Sequence, residues 1–331
     1  MFKYIVKRIL LAIVILLGVS LVLYILVRCM PVDYVEQQFQ AAVNQGTISQ
    51  EQLQNLKALY GIDRNDFWGI ISGYFKWLGN FFTGNLGISF LYKEPVADVI
   101  VNNMWTSFLI ALIALIFQFL IAIPLGVTAA THQYSARDYV ITVLTMIGIS
   151  LPSFFFASLL IKIFAEGGLG WFPGNGQADA SAVGGNPFTD FFKNLQYYIL
   201  PIITLVGINI GSLMRYTRTN TLEVLNADYI RTARAKGLRE SKVIYKHAFR
   251  NTLIPLVTLL AGILPSLFSG AMIIEQVFAI RGIGNLAYKA MTVADIPFIM
   301  GYNMFLSVLS VLGTLLSDIM YVVVDPRVKL N

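Results

Sequence analysis

Residues 9–27, ILLAIVILLGVSLVLYILV, carry no charged side chain, and their reading decides the fold. A bilayer's hydrocarbon core is crossed by about 20 mostly apolar residues in a helix. Lipid offers the backbone no hydrogen-bond partner, so a run of this kind must satisfy its amides internally. Working outward, the span extends over Ile9–Met30, and comparable runs occupy about Trp105–Ala130, Tyr139–Ala165, Tyr197–Met214, Leu253–Ile280 and Ile299–Val324. Of 331 residues, 56% are hydrophobic and 13% charged, against roughly 25% charged in soluble domains. Mean hydropathy is +0.68. The weak alternation of a membrane β-barrel is absent. The chain is therefore expected to be an all-α polytopic membrane protein with six transmembrane helices.

The first span is too long for the hydrophobic region of a cleaved signal peptide, and no A-x-A site follows it. Cys29 is the only cysteine, preceded by the bulky Val27 and charged Arg28, which argues against a lipoprotein site. It reads as a small buried hydrophobe.

Charge orients the spans. Lys3, Lys7 and Arg8 precede the first, and Arg215–Asn251 carries nine Lys/Arg against Glu223, Asp228 and Glu240. Pro31–Asn103 holds four basic and seven acidic residues. By the positive-inside rule both termini and the basic loop are cytoplasmic, and Pro31–Asn103 lies outside. Residues 1–30 then form the N-terminus and first helix, 31–103 an extracytoplasmic insertion, 104–325 a five-helix core containing the loop 215–252, and 326–331 a cytoplasmic tail. The insertion contains a Gln-rich, helical-looking stretch (Glu36–Leu59) and an aromatic run, Trp68–Phe82, suited to the membrane interface. Gly167–Asn194, rich in Gly, Pro, Asn and Ser, reads as an irregular loop.

Several chemistries find no footing. No G-x-x-x-x-G-K-[ST] loop is present, so ATP is not bound by that route. With His132, His247 and one cysteine, a His/Cys zinc site lacks ligands. No G-x-S-x-G elbow occurs. Charges within spans are few: Glu275 in the fifth, Asp318 in the sixth, and Lys162 with Glu166 at the end of the third. Each carboxylate is either functional or a packing group hydrogen-bonded inside the bundle. Pro124, Pro152, Pro201 and Pro265 are positioned to kink helices.

The segment Ala227–Pro255, ADYIRTARAKGLRESKVIYKHAFRNTLIP, is the largest cytoplasmic stretch between spans. Ala227, Ile230, Ala233 and Gly237 recur near helical spacing as a stripe of mostly small side chains. Asp228 and Arg231 are placed to pair, Gly237 suits a left-handed position ending the helix, and Ser241 suits the cap of a second helix bearing Val243, Ile244, His247 and Ala248. Such a helix can lie in a partner's groove. The same charges also serve topology or contact with anionic lipid.

Asp228-Tyr229-Ile230-Arg231-Thr232-Ala233-Arg234-Ala235-Lys236-Gly237, with Lys246-His247-Ala248-Phe249-Arg250-Asn251 and Pro255, resembles the EAA loop of ABC-importer permeases in its peptide-transporter form. Gly18-Val19-Ser20, Gly84-Asn85-Leu86-Gly87-Ile88-Ser89 before Pro95-Val96, Gly170-Trp171-Phe172-Pro173, Glu275-Gln276-Val277-Phe278 with Gly282-Ile283-Gly284, and Asp325-Pro326-Arg327 resemble that family in order along the chain. It is similar to the B-type permease subunit of oligopeptide/dipeptide importers. Arg231-Thr232-Ala233 replaces the general Glu-Ala-Ala, and Arg281 stands where a proline is common.

The resemblance implies the type I ABC-importer permease fold and a non-catalytic subunit of a bacterial cytoplasmic (inner) membrane. It implies a second homologous permease, two cytoplasmic ABC ATPases that bind ATP and Mg, an extracytoplasmic peptide-binding protein, peptide cargo, surrounding lipid and no nucleic acid. No cofactor is expected in this chain. Asp228, Arg231, Thr232, Ala233, Arg234, Ala235, Lys236, Gly237 and His247 are expected to couple to an ATPase, with Ala233 and Gly237 allowing close seating. Ser153, Asn209, Ser212, Glu275 and Asn303, with Gln118 and Ser150, are candidates for the pathway. Nickel or glutathione importers of the same family and an ion-driven carrier are the alternatives.

Overall fold

The computed structural model describes residues 2–28, 67–165, 167–174 and 187–324, with a few positions between 43 and 52. Expectations resting on Cys29, most of Glu36–Leu59, the Lys162–Glu166 pair, the Asp318 side chain and Asp325-Pro326-Arg327 lie outside the described residues.

Among the described residues the regular structure is helical. Helix α1 is Phe2–Arg28, α2 Phe67–Phe82, α3 Val96–Thr131, α4 Ala136–Ser150, α5 Ser153–Phe164, α6 Pro187–Lys193 and α7 Leu195–Leu225. They are followed by α8 Asp228–Ala235, α9 Phe249–Ser269, α10 Met272–Val277, α11 Ile283–Thr292 and α12 Ile296–Val324. Lys7–Arg28, Val96–Thr131, Leu195–Leu225 and Ile296–Leu316 are long and apolar enough to cross a membrane, and α4 with α5 forms a further, bent candidate. Leu10, Val14, Val22 and Leu26 on α1 are exposed, as are Leu120, Leu144 and Leu312 elsewhere. Apolar surface on that scale does not face water in a folded protein. The molecule is an all-α polytopic membrane protein.

Two expected spans are broken. The third bends by 104° between α4 and α5. Pro152 has no N–H to continue the helix and pushes its predecessor out of helical conformation. Leu151 accordingly sits at φ −87, ψ 133. The fifth, read as Leu253–Ile280, ends as α9 at Ser269 and resumes only as the short α10 beyond Gly270. Helices α3 and α7 continue through Pro124 and Pro201. The loop expected over Gly167–Asn194 contains α6. Its Phe191 is buried and stacks on Tyr198 at 4.7 Å between ring centres. Burying that ring pair orders a segment whose composition reads as loop.

The chain folds as two compact units. The first draws on Met1–Met104 and Leu286–Leu312. Here α2 packs on α1 through an aromatic face with a polar centre. Ser20, fully buried, shares a 2.8 Å hydrogen bond with the Tyr74 hydroxyl, and Tyr24 meets Tyr74 edge-on at 5.7 Å. The amphipathic α2 leaves Trp68, Phe75 and Phe82 exposed, as an interfacial helix would.

The loop after α2 is tied down by Asp295, which is wholly buried. Its Oδ2 accepts from Ser89 Oγ at 2.5 Å and from the Leu91 amide at 3.0 Å. Its Oδ1 accepts from the Phe298 amide at 3.2 Å, which caps the start of α12. Tyr92 donates to the Leu286 carbonyl at 2.8 Å. One carboxylate thus closes the Gly84–Ser89 motif against the start of the last helix.

The second unit draws on Trp105–Asn285 and Gly313–Leu330. Its core gathers Leu109, Ile110, Ala157, Leu160, Leu200, Ile274, Phe278 and Ile280. Helices α4 and α7 cross where Gly148 faces the Gly207 carbonyl and Gly211 faces the Thr145 carbonyl, with no room for a Cβ at either glycine. Small residues at such crossings let backbones approach closely in membranes. At the other end of the same pair, Arg218 binds Asp138 through two bonds of 2.9 and 2.8 Å. Asp138 is buried, so this fork fixes the register of α4 on α7.

Candidate coupling segment and buried carboxylate clasp

The basic segment folds on itself before it presents anything to a partner. Helix α8 begins at Asp228, whose charge suits a helix N-terminus. Ala235 closes it, and Gly237 follows at φ 74. The Gly237 amide donates to the Arg234 carbonyl at 2.9 Å and the Leu238 amide reaches back to Ala233 at 3.4 Å. That pairing is a Schellman motif, whose left-handed position glycine fills without steric cost. The expected glycine stop is therefore in place.

Two other readings change. Ser241 does not cap the next helix. Arg239 holds the N-cap position at φ −55, ψ 138, and its carbonyl accepts from Lys242 and Val243. One turn, Glu240–Lys242, leads into a π-helical turn, Val243–Ala248, and then into α9.

The second change concerns the small-residue stripe. Ile230, Val243 and Ala248 are fully buried and Ala233 nearly so, with Val224, Leu225 and Leu238 packed around them. Ala233 therefore faces inward, against its own chain. Its smallness lets α8 lie close to the π-helical turn of its own chain. Gly237 is exposed, and a Cβ there would meet nothing within 4 Å.

What faces outward is polar and aromatic, Tyr229, Arg231, Thr232, Lys236 and Tyr245, with the small Ala235 among them. Beside it lies a shallow depression of about 770 Å³ lined by Gly237, Leu238, Arg239, Ser241, Lys242, Tyr245 and Lys246. The expected Asp228–Arg231 pair is present at 3.7 Å, on two exposed side chains. A stronger clamp, not anticipated from spacing, joins the two sides of the turn: Arg234 binds Glu240 with a closest approach of 2.6 Å. Its guanidinium holds the Glu240 carboxyl below the usual glutamate value. Asn251 at the root of α9 donates to the Tyr229 hydroxyl at 3.0 Å, tying α8 to the next helix. His247 is half-buried within the π-helical turn.

Glu275 stands apart from the other pathway candidates. It is buried, and its carboxylate is occupied by three donors: Ser107 Oγ at 2.6 Å, the Ala271 amide at 3.2 Å and the Asn285 amide at 2.9 Å. Ser107 in turn accepts from the Ile283 amide at 2.9 Å. Asn285 donates its side-chain amide to the Ile280 carbonyl at 2.7 Å. The glutamate thus staples α3, α10 and the Gly282-Ile283-Gly284 turn. A Cβ on Gly282 or Gly284 would strike its carboxylate. Backbone donors of this kind make burial of a carboxylate tolerable without a cation.

The remaining candidates lie on helices. Asn209 and Ser212 are exposed on α7, with Gln118 of α3 donating to the Asn209 carbonyl at 3.1 Å. Ser153 is half-buried at the start of α5, Ser150 ends α4, and Asn303 on α12 bonds back to the Ile299 carbonyl at 2.8 Å.

Asp295 and the Asp138–Arg218 fork escaped the sequence reading, while Tyr74, part of the aromatic run read as interfacial, is buried against α1. Only Asp295 left a local sign, standing directly before an Ile-Pro-Phe run as an N-cap residue does.

Residues 122–330 match the family described as "Binding-protein-dependent transport system inner membrane component", and residues 1–111 match its N-terminal companion family. The oligopeptide transport system permease protein AppB of Bacillus subtilis is 36% identical over 330 residues, spanning 99% of this chain and 100% of its own length. The oligopeptide transport system permease protein OppB of Haemophilus influenzae is 32% identical over 280 residues, 84% of this chain and 86% of its own length.

Proposed function

The chain belongs to the family of binding-protein-dependent transport system inner membrane components, and from that premise we propose that it carries oligopeptides into the cytoplasm as one permease of an ATP-driven importer. As a permease component it is a transport subunit and not an enzyme. The proposed assembly adds a second, homologous permease, two cytoplasmic ATPases and an extracytoplasmic peptide-binding protein. Six spans with both termini inside are assigned, the third being α4 with α5 and the fifth α9. No cofactor belongs to this chain, because ATP and Mg sit on the ATPases.

One observation carries the coupling assignment. Helix α8 is locked to its own chain by a small core and by the Arg234–Glu240 and Asn251–Tyr229 bonds, while a continuous polar and aromatic face stays open. A lever must be stiff inward and free outward. Closure of the ATPases on ATP would push that face, and the rigid connection through Val243–Ala248 into α9 would pass the motion to the membrane helices. ATP shifts the equilibrium only by its differential affinity for the two states. Ser153, Asn209, Ser212 and Asn303 are assigned to the wetted path. Glu275 joins them only if its clasp opens during the cycle.

The test is ATP-dependent peptide uptake by the reconstituted complex carrying Ala235→Arg. This position is exposed, helical and free of positive-φ strain, so insertion should be normal while uptake falls to background. Gly237→Arg should do the same, with added backbone strain. Uptake at wild-type rates in Ala235→Arg, or purification in mild detergent without any ATPase, would overturn the assignment. Uptake driven by an ion gradient alone would favour a secondary carrier.

A further inference from the structure

Helix α8 has a second exit besides α9. Its small core is walled on one side by Val243 and Ala248, which lead into α9, and on the other by Val224 and Leu225 in the last turn of α7. Two residues, Asn226 and Ala227, join α7 to α8. Their amides bond back to the Leu222, Glu223 and Val224 carbonyls, so the joint is taut. A push on α8 therefore reaches the end of α7 as directly as it reaches α9.

What α7 does with that push depends on how it holds α4. The two helices run antiparallel and meet at two places. At the first, Gly148 lies against the Gly207 carbonyl and Gly211 against the Thr145 carbonyl. At the second, Arg218 donates to both carboxylate oxygens of Asp138, at 2.9 and 2.8 Å. Gly211 to Arg218 and Thr145 to Asp138 are each two turns, about 10 Å of helix. Bare glycine contacts have no side chain to stop one helix swinging over the other, so alone they form a pivot. A second fixed point two turns away removes that freedom. The planar two-bond geometry of the guanidinium holds angle as well as distance.

The carboxylate end is itself anchored. Asp138 Oδ2 accepts from the Tyr134 amide at 3.1 Å, Oδ1 from the Thr142 hydroxyl at 3.4 Å, and the Asp138 amide donates to Ser135 Oγ at 3.4 Å. These partners belong to the start of α4 and the turn before it, so the fork pulls on the helix and not on a loose side chain. We propose that the Asp138–Arg218 fork is a coupling clamp, which makes α4 follow α7 when the ATPases move α8. Both are positioning residues. The inference rests on the importer reading above. With the fork closed, α7 and α4 turn together. With it open, the end of α7 swings about the glycine crossing, and the ATPases complete their cycle while α4 stays behind. ATP is then hydrolysed without moving cargo.

The test measures peptide taken up per ATP hydrolysed by the complete complex in vesicles, alongside hydrolysis itself. Arg218→Lys keeps the charge and loses the two-bond geometry. It should leave hydrolysis within about twofold of wild type and lower uptake per ATP about tenfold. Asp138→Asn, of nearly the same shape, should act alike. The two changes combined should be no worse than either alone, because both break one contact. Thr142→Val removes a donor to the same carboxylate without touching the fork, and should keep the wild-type yield. Yield is a ratio within assembled complexes, so poor expression does not enter it, and either single variant suffices if the other fails to fold. A wild-type yield in Arg218→Lys or Asp138→Asn would overturn the inference while leaving the importer reading intact. So would uptake and hydrolysis falling in equal proportion, the mark of a fork that only holds the fold. A wild-type complex without ATP-driven uptake would overturn the importer reading, and this inference with it.

Discussion

Two turns in this molecule share a plan and differ in everything that surrounds it. In each, a glycine at positive φ ends a helix and a glutamate follows within a few residues: Gly237 with Glu240, and Gly270 with Glu275. Around Gly237 there is open space, and Glu240 pairs with Arg234 through half-exposed side chains. Around Gly270 there is none. A Cβ there would lie 2.6 Å from the Gly284 nitrogen and 2.7 Å from Glu275 Oε1. The first turn is held by local hydrogen bonds and yields to solvent. The second is held by a carboxylate that has exchanged water for backbone amides. The lesson is that the same local code gives a surface turn or a structural lock according to what closes over it.

The comparison can be broken from its strongest point. Glu275→Ala removes the acceptor for the Ser107 hydroxyl and two amides, and each buried donor left without a partner costs about 1–3 kcal/mol. The thermal midpoint of the purified protein should fall by more than for any other substitution considered. A midpoint equal to wild type would show that the clasp contributes nothing.

Gly270→Ala comes next. Its backbone, at φ 72 and ψ 159, lies in a region reserved to glycine, where another residue costs about 1–3 kcal/mol before the Cβ contacts are added. Gly237→Ala carries a backbone cost of about 1–2 kcal/mol alone, since its Cβ meets nothing. Paired thermal melts should therefore show Gly270→Ala clearly worse. Equal losses would mean that enclosure adds no cost beyond conformation.

Glu240→Gln should be the mildest, about 0.2–1 kcal/mol, as for exposed ion pairs. Because Arg234 lowers the Glu240 carboxyl from its ordinary 4.5, the pair contributes above that value and is lost as pH falls through the lowered one. Amide protection across Lys236–Lys242, taken relative to the intrinsic exchange rate at each pH, should fall on acidification in the wild type and change less in Glu240→Gln. Identical acid responses would sink the pairing argument.

Much of the plan was legible along the chain because it is local. The apolar runs fixed membrane spans, Gly237 announced its stop, and Asp228–Arg231 followed from helical spacing. Pro152 gave grounds for a bend, though its 104° size was not readable. The stripe through Ile230 and Ala233 reads as a face in the sequence, and in the structure that face packs on Val243 and Ala248 of the same chain. Periodicity tells which residues point the same way, and nothing in it says whether the cover is a partner or the same chain returning through Val243 and Ala248.

By itself, then, the sequence determined the all-helical membrane class, the positions of most spans, the basic segment and its glycine stop, and a family resemblance running nearly end to end. Those properties depend on hydropathy, charge and spacing over short distances. Only the tertiary structure decided that Asp295 ties a loop some 200 residues earlier to α12, that Glu275 is a staple, and that Arg218 forks onto Asp138. A buried carboxylate is tolerated only where donors converge on it, and those donors come from segments far apart in the chain. Their meeting is settled by packing in three dimensions.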